Sequence, residues 1–500
     1  MKSQHAALLT TSIVIALLAS WPLWVNTSFY FAGPALQIAD FASDDMLVVE
    51  AKKLSLLHGH YSRAGFYHPG PFYMYWMAAC EWLLHDTLSL FASPAAVQHF
   101  AATLLMALAY GSFTFLTTRL SGSALAGGAA TAALFGLVYL STGNVITAPW
   151  PPHMLVASGI FTVTGGTGLL LRGWRWLPLL CLGALQLLHG HAIFSGLLPI
   201  IVIPTLLMAM RWHGLPSLRS KSLWLAAAII AVMLAPLAVL TLFNFPEPWA
   251  SYLRQAGNGE HIAATQAITL LAGFLLPLLA GIALLVAAMP RQTTNTISSL
   301  ARASGVIFCS GFVAALWFGL RGVDSIDNRY LLFWFAPFSA LPGAMAVIAL
   351  AARLPRFVAS TLQIVVIVIA VIACRNSLPW MLFNAAQYAQ YQQVWQRLQQ
   401  QALHGAVQIH TDNRTRYADI WSQVLTFAAL STRAEKPVLC VVASSWHLSY
   451  HASTRCAEPT DSNATQILVS AEPAQPGEEQ VAEIDGIYYR RIERHTISPP

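Results

Sequence analysis

Long apolar runs recur from the N-terminus to residue 374 and constrain this chain more than any other feature. A helix that crosses a bilayer needs about 20 mostly apolar residues. Twelve candidate runs occupy roughly 7–26, 71–88, 97–118, 124–142, 154–171, 176–188, 193–210, 222–244, 266–289, 304–320, 330–352 and 357–374. Only 10% of the residues are charged and 56% are hydrophobic, against about 25% charged in soluble domains. A water-soluble core could not hide so much apolar surface, so lipid is the expected solvent and helices the expected spanning element. The net charge of +6 fits lysines and arginines placed in cytoplasmic loops. No basic run exceeds two residues, so nucleic acid is not expected as a partner. The stretch from Ala6 to about Trp24, with no small-residue cleavage site close behind it, reads as an uncleaved signal-anchor helix.

Lysines and arginines in short loops set the orientation. Lys2, Arg119, Arg172 with Arg175, Arg211 with Arg219 and Lys221, Arg291 with Arg302, and Arg353 with Arg356 read as cytoplasmic. The loops 27–69, 143–153, 189–192, 245–265 and 321–329 then share the opposite side, as does the region from Arg375 onward. One conflict remains. Residues 27–69 and Arg119 belong on opposite sides, yet two apolar runs separate them. Either one of those runs does not span, or Arg119 lies outside and a later segment absorbs the mismatch. The expected fold class is an α-helical polytopic membrane protein with 11–13 crossings and a small extracytoplasmic α/β domain. The expected division is 1–375 for the membrane part, with a large external loop 27–70, and 376–500 for the domain.

Past residue 375 the composition turns polar. Residues 384–403, with Tyr388, Tyr391, Val394, Trp395 and Leu398, have the spacing of an amphipathic helix. Short β-type runs follow at Ala406–His410, Pro437–Ala443, Ile467–Val469 and Gly486–Arg490, with a helical stretch Tyr417–Leu430 between the first two. Cys440 and Cys456 lie here, and either a disulfide or two free thiols is compatible with the sequence.

The loop after the first run gathers Asp40, Asp44, Asp45, Glu50, Lys52, Lys53, His58, His60, Arg63 and His68 beside the membrane. Residues 43–58 have helical spacing, with Ser43 as N-cap and Asp44 and Asp45 in the first turn, where they suit the helix dipole. Such a helix can lie in the membrane interface with its lysines reaching outward.

A first membrane helix, an acidic pair in a long external loop, an interfacial helix and an aromatic, proline-containing start to the second run together resemble GT-C glycosyltransferases. The pattern is similar to that of aminoarabinose transferases and protein O-mannosyltransferases. Asp44-Asp45 stands where those enzymes have Asp-Glu, and His68-Pro69-Gly70-Pro71-Phe72-Tyr73 where they have Pro-Pro-Leu-aromatic. The run from Tyr61 to Pro71 and the later Pro149-Trp150-Pro151-Pro152-His153 also resemble stretches of uncharacterised bacterial membrane proteins of GT-C type. Pro151 stands where that group has Asn.

The resemblance implies transfer of a sugar from a polyprenyl-phosphate donor to a glycan, lipid or protein acceptor at the outer face of a bacterial inner membrane. By family position Asp44 or Asp45 is the general base. Asp44 matches the Asp of the pair, and counting to Glu50 favours Asp45. A carboxylate within hydrogen-bond reach of the acceptor hydroxyl can take its proton, and a nearby negative charge favours an oxocarbenium-like transition state. The phosphate leaving group needs positive charge or oriented donors. Arg63, Arg321 and Arg329 are candidates, with Asp327 and Tyr330 beside them; Arg329-Tyr330 resembles a donor-phosphate site. Glu50, Tyr61, His68, Trp150, His153, His189 and His191 complete the expected substrate site.

His189 and His191 are two potential metal ligands without an identifiable third, so the metal question and a divalent cation stay open. Glu81 lies within the second apolar run and should face protein or water. No phosphate-binding P-loop, dinucleotide fingerprint or His-Glu-x-x-His is present. The alternative function is a transporter or flippase of a lipid-linked saccharide. Against it, the ionisable groups gather at one face and no half-to-half symmetry is detectable.

Overall fold

A computed structural model describes residues 2–33, 35–62, 64–258, 262–274, 295–321, 323, 325–374, 385–403, 407–412, 415–434, 436–442, 447–456, 464–476 and 478–492. The membrane part is a helical bundle. Its long helices are α1 (Lys2–Val25), α4 (Pro94–Ser121), α5 (Ala124–Thr142), α6 (Pro151–Arg172), α8 (Phe194–His213), α9 (Lys221–Asn244) and α12 (Asn295–Arg321). A 3-10 turn, Ile326–Phe335, runs into α13 (Ala336–Ala351). Among the described residues these form eight helical runs long and apolar enough to cross a membrane. Shorter apolar helices are α7 (Leu177–Gly190), α11 (Ala264–Phe274) and α14 (Arg356–Cys374).

The orientation conflict resolves at the second apolar run. It forms only a short helix, α3 (Phe72–Glu81), followed by a π-helical turn, Trp82–Thr87. Even with that turn, the helical run of residues 72–87 covers at most roughly 24 Å at about 1.5 Å per residue, short of a bilayer core of about 30 Å. The chain then returns to the side it came from, because the Ala92 N–H donates to the Tyr30 carbonyl, just past α1, at 3.0 Å. A single crossing by α4 therefore separates the first loop from Arg119.

Helix α6 sits at the bundle centre, buried on nearly all sides. Its glycines let α7 approach. A Cβ on Gly165 would collide with the Leu180 backbone, and one on Gly183 of α7 would come within 2.5 Å of the Thr162 nitrogen.

The first external loop folds into helix α2 (Ala39–Lys52) and a two-stranded ribbon, β1 (Tyr61–Ser62) and β2 (Phe66–Tyr67). Helix α2 begins four residues before the expected N-cap. Ser43 lies inside it and donates from its hydroxyl to the Ser449 carbonyl at 2.6 Å. Nor does α2 lie free in the membrane interface. It is clasped between α3 and α16 (Tyr417–Arg433), with nine of its fourteen residues buried.

The polar C-terminal region is a five-stranded mixed sheet in the order β4-β3-β5-β7-β6. Its strands are β3 (Val407–Thr411), β4 (Leu439–Val441), β5 (Thr465–Ser470), β6 (Glu479–Ile484) and β7 (Ile487–Arg491). Strands β4, β3 and β5 are parallel and the rest antiparallel. Helices α15 (Ala385–Ala402) and α16 cover it, and the expected stripe Tyr391, Val394, Trp395 and Leu398 is buried against Phe427 and the sheet. Strand β6 goes unrecognised in the sequence reading. Its signal is Asp485-Gly486, both at positive φ, the pair a tight hairpin demands. Cys440 and Cys456 are joined in a disulfide.

Candidate active site

Asp40 and Asp44, four residues apart, share one face of α2, and consecutive loop residues meet them. The Tyr61 hydroxyl donates to Asp40 Oδ1 at 2.5 Å. His60 Nδ1 donates to Asp44 Oδ1 at 2.5 Å. Asp44 is 2% exposed, and its Oδ2 has no hydrogen-bond partner among the described residues. Burial pushes the Asp44 carboxyl up to about 6, against the opposing pull of His60. Burial alone would lower His60, but the charge and hydrogen bond of Asp44 outweigh it and hold the imidazole above its ordinary range.

Asp45 points elsewhere. Arg433, from the end of α16, grips it with two bonds of 2.7 and 2.5 Å and grips both oxygens of Glu81 at 2.9 Å. Lys52 reaches Glu81 at 2.8 Å and Asp86 at 2.5 Å. Gln98 donates to Asp45 at 2.5 Å and to Glu81 at 3.2 Å, and itself accepts from Gln37 at 2.7 Å. This is a charge-compensated seam fastening the C-terminal sheet region to the membrane part. Lys52 serves the seam instead of reaching outward. Glu50 adds a bond to His451 at 2.5 Å, and Arg455 donates to the Tyr67 hydroxyl at 2.6 Å.

On the other side of α2 lies a cavity of about 1040 Å³. The first loop contributes Asp40, His60, Tyr61 and His68; the start of α6 contributes Trp150 and Pro152; the turn between α7 and α8 contributes His191. Trp249 and Tyr252 come from helix α10 (Trp249–Asn258), Trp317 and Arg321 from the end of α12, Tyr330 from the 3-10 turn, and Tyr417 and Trp421 from α16. Every loop that the charge rule puts on one side thus meets here, roofed by the C-terminal region. At the opposite end Arg172 donates to the Arg119 carbonyl at 2.7 Å, joining two loops that the rule puts together on the other side.

Of the residues singled out in the sequence, Tyr61, His68, Trp150, His191, Arg321 and Tyr330 stand on the cavity wall. Asp44, Asp45, Glu50, His153, His189, Asp327 and Arg329 do not. Arg63 lies outside the described residues. His189 is a packing pivot: its Nδ1 accepts from the Phe72 N–H at 3.1 Å and its Nε2 donates to the Met233 carbonyl at 2.8 Å. Its ring fills the space where a Cβ on Gly70 would go, which gives the Pro69-Gly70-Pro71 segment a steric reason. Arg329 donates to the Ser141 carbonyl at 2.9 Å and lies 5.0 Å over the Phe274 ring. Asp327 is exposed in the 3-10 turn. His153 is buried in α6, edge-on to Trp150 at 5.1 Å.

The sequence reading missed Asp40 and His60 as wall residues and Arg433 as the key to the seam. Asp40 was legible as the i−4 partner of Asp44, had α2 been started earlier. Nothing local points to Arg433. Among the described residues no group of three or more His, Cys, Asp or Glu side chains is arranged to hold a metal ion.

No family model and no curated protein matches the chain. Solved structures do. The crystal structure of ArnT from Cupriavidus metallidurans bound to undecaprenyl phosphate has a TM-score of 0.58 at 12% identity, covering 98% of this chain and 99% of that one. The same protein in the apo state has a TM-score of 0.56 at 12% identity with the same coverage. The likeness runs the length of both chains, so the α-helical polytopic fold expected from the sequence is observed, and it is the fold of ArnT.

Proposed function

We propose that this protein transfers a sugar from a polyprenyl-phosphate donor to a glycan, lipid or protein acceptor at the outer face of a bacterial inner membrane, with its C-terminal sheet in the periplasm. One observation carries the reading. A carboxylate, Asp40, and a guanidinium, Arg321, share a large aromatic-walled cavity at one membrane face. The ArnT likeness, in a structure that holds undecaprenyl phosphate, supports a lipid phosphate as the donor's carrier.

In this scheme the acceptor hydroxyl approaches Asp40, which Tyr61 holds in place. The acceptor oxygen bonds to the anomeric carbon and its proton passes to Asp40. The bond from that carbon to the phosphate oxygen breaks, its electron pair remaining on the phosphate. Arg321 offers the charge-assisted bonds that the departing lipid phosphate needs. The faces of Trp150, Trp317, Tyr330 and Trp421 suit sugar rings and isoprene units. The base therefore moves one helical turn back from the acidic pair. Asp44 acts through His60, and Asp45 acts through Arg433 on the seam.

The test is release of lipid phosphate by the purified protein in nanodiscs, supplied with a panel of polyprenyl-phosphate sugars and acceptors, with and without a chelator. Acceptor-dependent cleavage that disappears in Asp40→Asn supports the scheme. Full activity in Asp40→Asn overturns the choice of base. Donor moved across a vesicle bilayer without cleavage would favour the transporter instead.

A further inference from the structure

Two carboxylates one turn apart on α2, Asp40 and Asp44, flank a single imidazole, His60. Asp44 is buried, and of its two oxygens only Oδ1 has a partner among the described residues, namely His60 Nδ1. An ionised carboxylate in such a place is stabilised when its partner is a cation and destabilised when it is neutral. With Nδ1 committed to Asp44, Nε2 is the ring nitrogen left for the cavity that His60 lines. A buried carboxylate behind an imidazole also holds the ring in one orientation.

The neighbouring histidines differ. The ring of His68 lies 6.4 Å from that of His60 and 4.5 Å from that of His191. Burial lowers His68 well below the ordinary imidazole range and takes His191 down to about 4, and the charge of His60 pushes both the same way. On the cavity wall the Asp44 contact thus favours the protonated form of His60, while burial favours the neutral forms of His68 and His191.

Resting on the glycosyl-transfer reading, we propose that His60, positioned by Asp44, is a second anion-binding group of the cavity and donates a hydrogen bond from Nε2 to the phosphate of the lipid carrier, alongside Arg321. Asp44 is then a positioning residue that keeps the imidazole charged. The groups facing His60 are Asp40 and Asp44 from α2 and His68 and His191 from the neighbouring loops. The two carboxylates favour the charged ring, and its burial opposes it.

The sign of the pH dependence follows. Phosphate binding aided by His60 is full while the ring is protonated and weakens as pH rises through its raised pKa. Asp44→Asn removes the raising charge, so the weakening sets in at lower pH. His60→Gln keeps a donor without a titration, so this component of the pH dependence vanishes. The probe is undecaprenyl phosphate alone, titrated into full-length protein in nanodiscs between pH 5.5 and 8.5. Ionisation of the lipid phosphate is common to all variants and cancels in the comparison.

The expected result is a wild-type affinity that falls about tenfold more across this range than that of His60→Gln, with the Asp44→Asn curve displaced to lower pH. A charge-assisted hydrogen bond of roughly 1.5–3 kcal/mol corresponds to that factor or more. Superimposable pH profiles in wild type and His60→Gln, or an unmoved profile in isosteric Asp44→Asn, would overturn the inference while leaving the transfer reading intact. Absence of binding by the wild type would overturn the lipid-phosphate reading and this inference with it.

Discussion

The cavity wall and the seam under the C-terminal sheet are built from the same helix, α2, and from the same residue type, yet they handle charge in opposite ways. Asp45 meets a guanidinium that also holds Glu81, with Lys52 and Gln98 satisfying what remains. Asp40, five residues earlier, accepts from the Tyr61 hydroxyl and opens on a cavity of about 1040 Å³. Asp44, next to Asp45, faces the cavity side because each residue turns a helix by about 100°. The lesson is that an acidic cluster on one short helix can serve two ends. The compensated carboxylate holds parts together, and the one on the cavity wall is the base of the proposed scheme.

Four changes would break or sharpen this contrast. The largest effect is expected from Asp40→Asn: turnover falls by about 10²–10⁴, the usual range for a lost general base, while the thermal melt stays near wild type. A variant that melts early with normal turnover per folded molecule would reverse the roles of wall and seam.

Next comes Arg433→Ala, which leaves Asp45 a buried charge without a cation and Glu81 with Lys52 as its cation. Removing one partner of such a pair destabilises by about 3–5 kcal/mol. The melting temperature in detergent should drop by several degrees, and the further change of Asp45→Asn with Glu81→Gln should recover part of it. An unchanged melt for Arg433→Ala would mean that the seam carries no stability.

Arg321→Ala is expected to weaken undecaprenyl phosphate binding by about tenfold or more, as loss of a charge-assisted bond implies, with little change in the melt. Equal affinity would remove Arg321 from the phosphate site.

The smallest effect concerns Glu50. Its bond to His451 holds the carboxyl below its ordinary range. It therefore favours the docked state above that range, and the contribution is lost as pH falls through the lowered value. The pair is partly open to solvent, so the stabilisation is small. Protease protection of the C-terminal region should decline on acidification less steeply in Glu50→Gln than in wild type; identical curves would assign the decline to other groups.

Much of the bundle was legible because apolar length is a one-dimensional signal. The runs that became α4, α5, α6, α8 and α9 needed no partner to be read. The run 71–88 was misleading because composition cannot tell a short helix ending in a π-turn from a crossing; the Ala92–Tyr30 hydrogen bond decides it. On the cavity wall, His68, Trp150, His191 and Tyr330 were reached through the resemblance of their stretches to GT-C proteins. Asp40 was not, because starting α2 at Ser43 hid the four-residue spacing that aligns it with Asp44.

By itself the sequence determined the solvent of this protein, the side on which its loops gather and the helical stripe of α15, because hydropathy, charge asymmetry and periodicity are written locally. Only the tertiary structure decided which aspartate sees the cavity and which is locked away. That choice depends on Arg433, 388 residues from Asp45 along the chain, and on the rotation of one short helix, neither of which leaves a local trace.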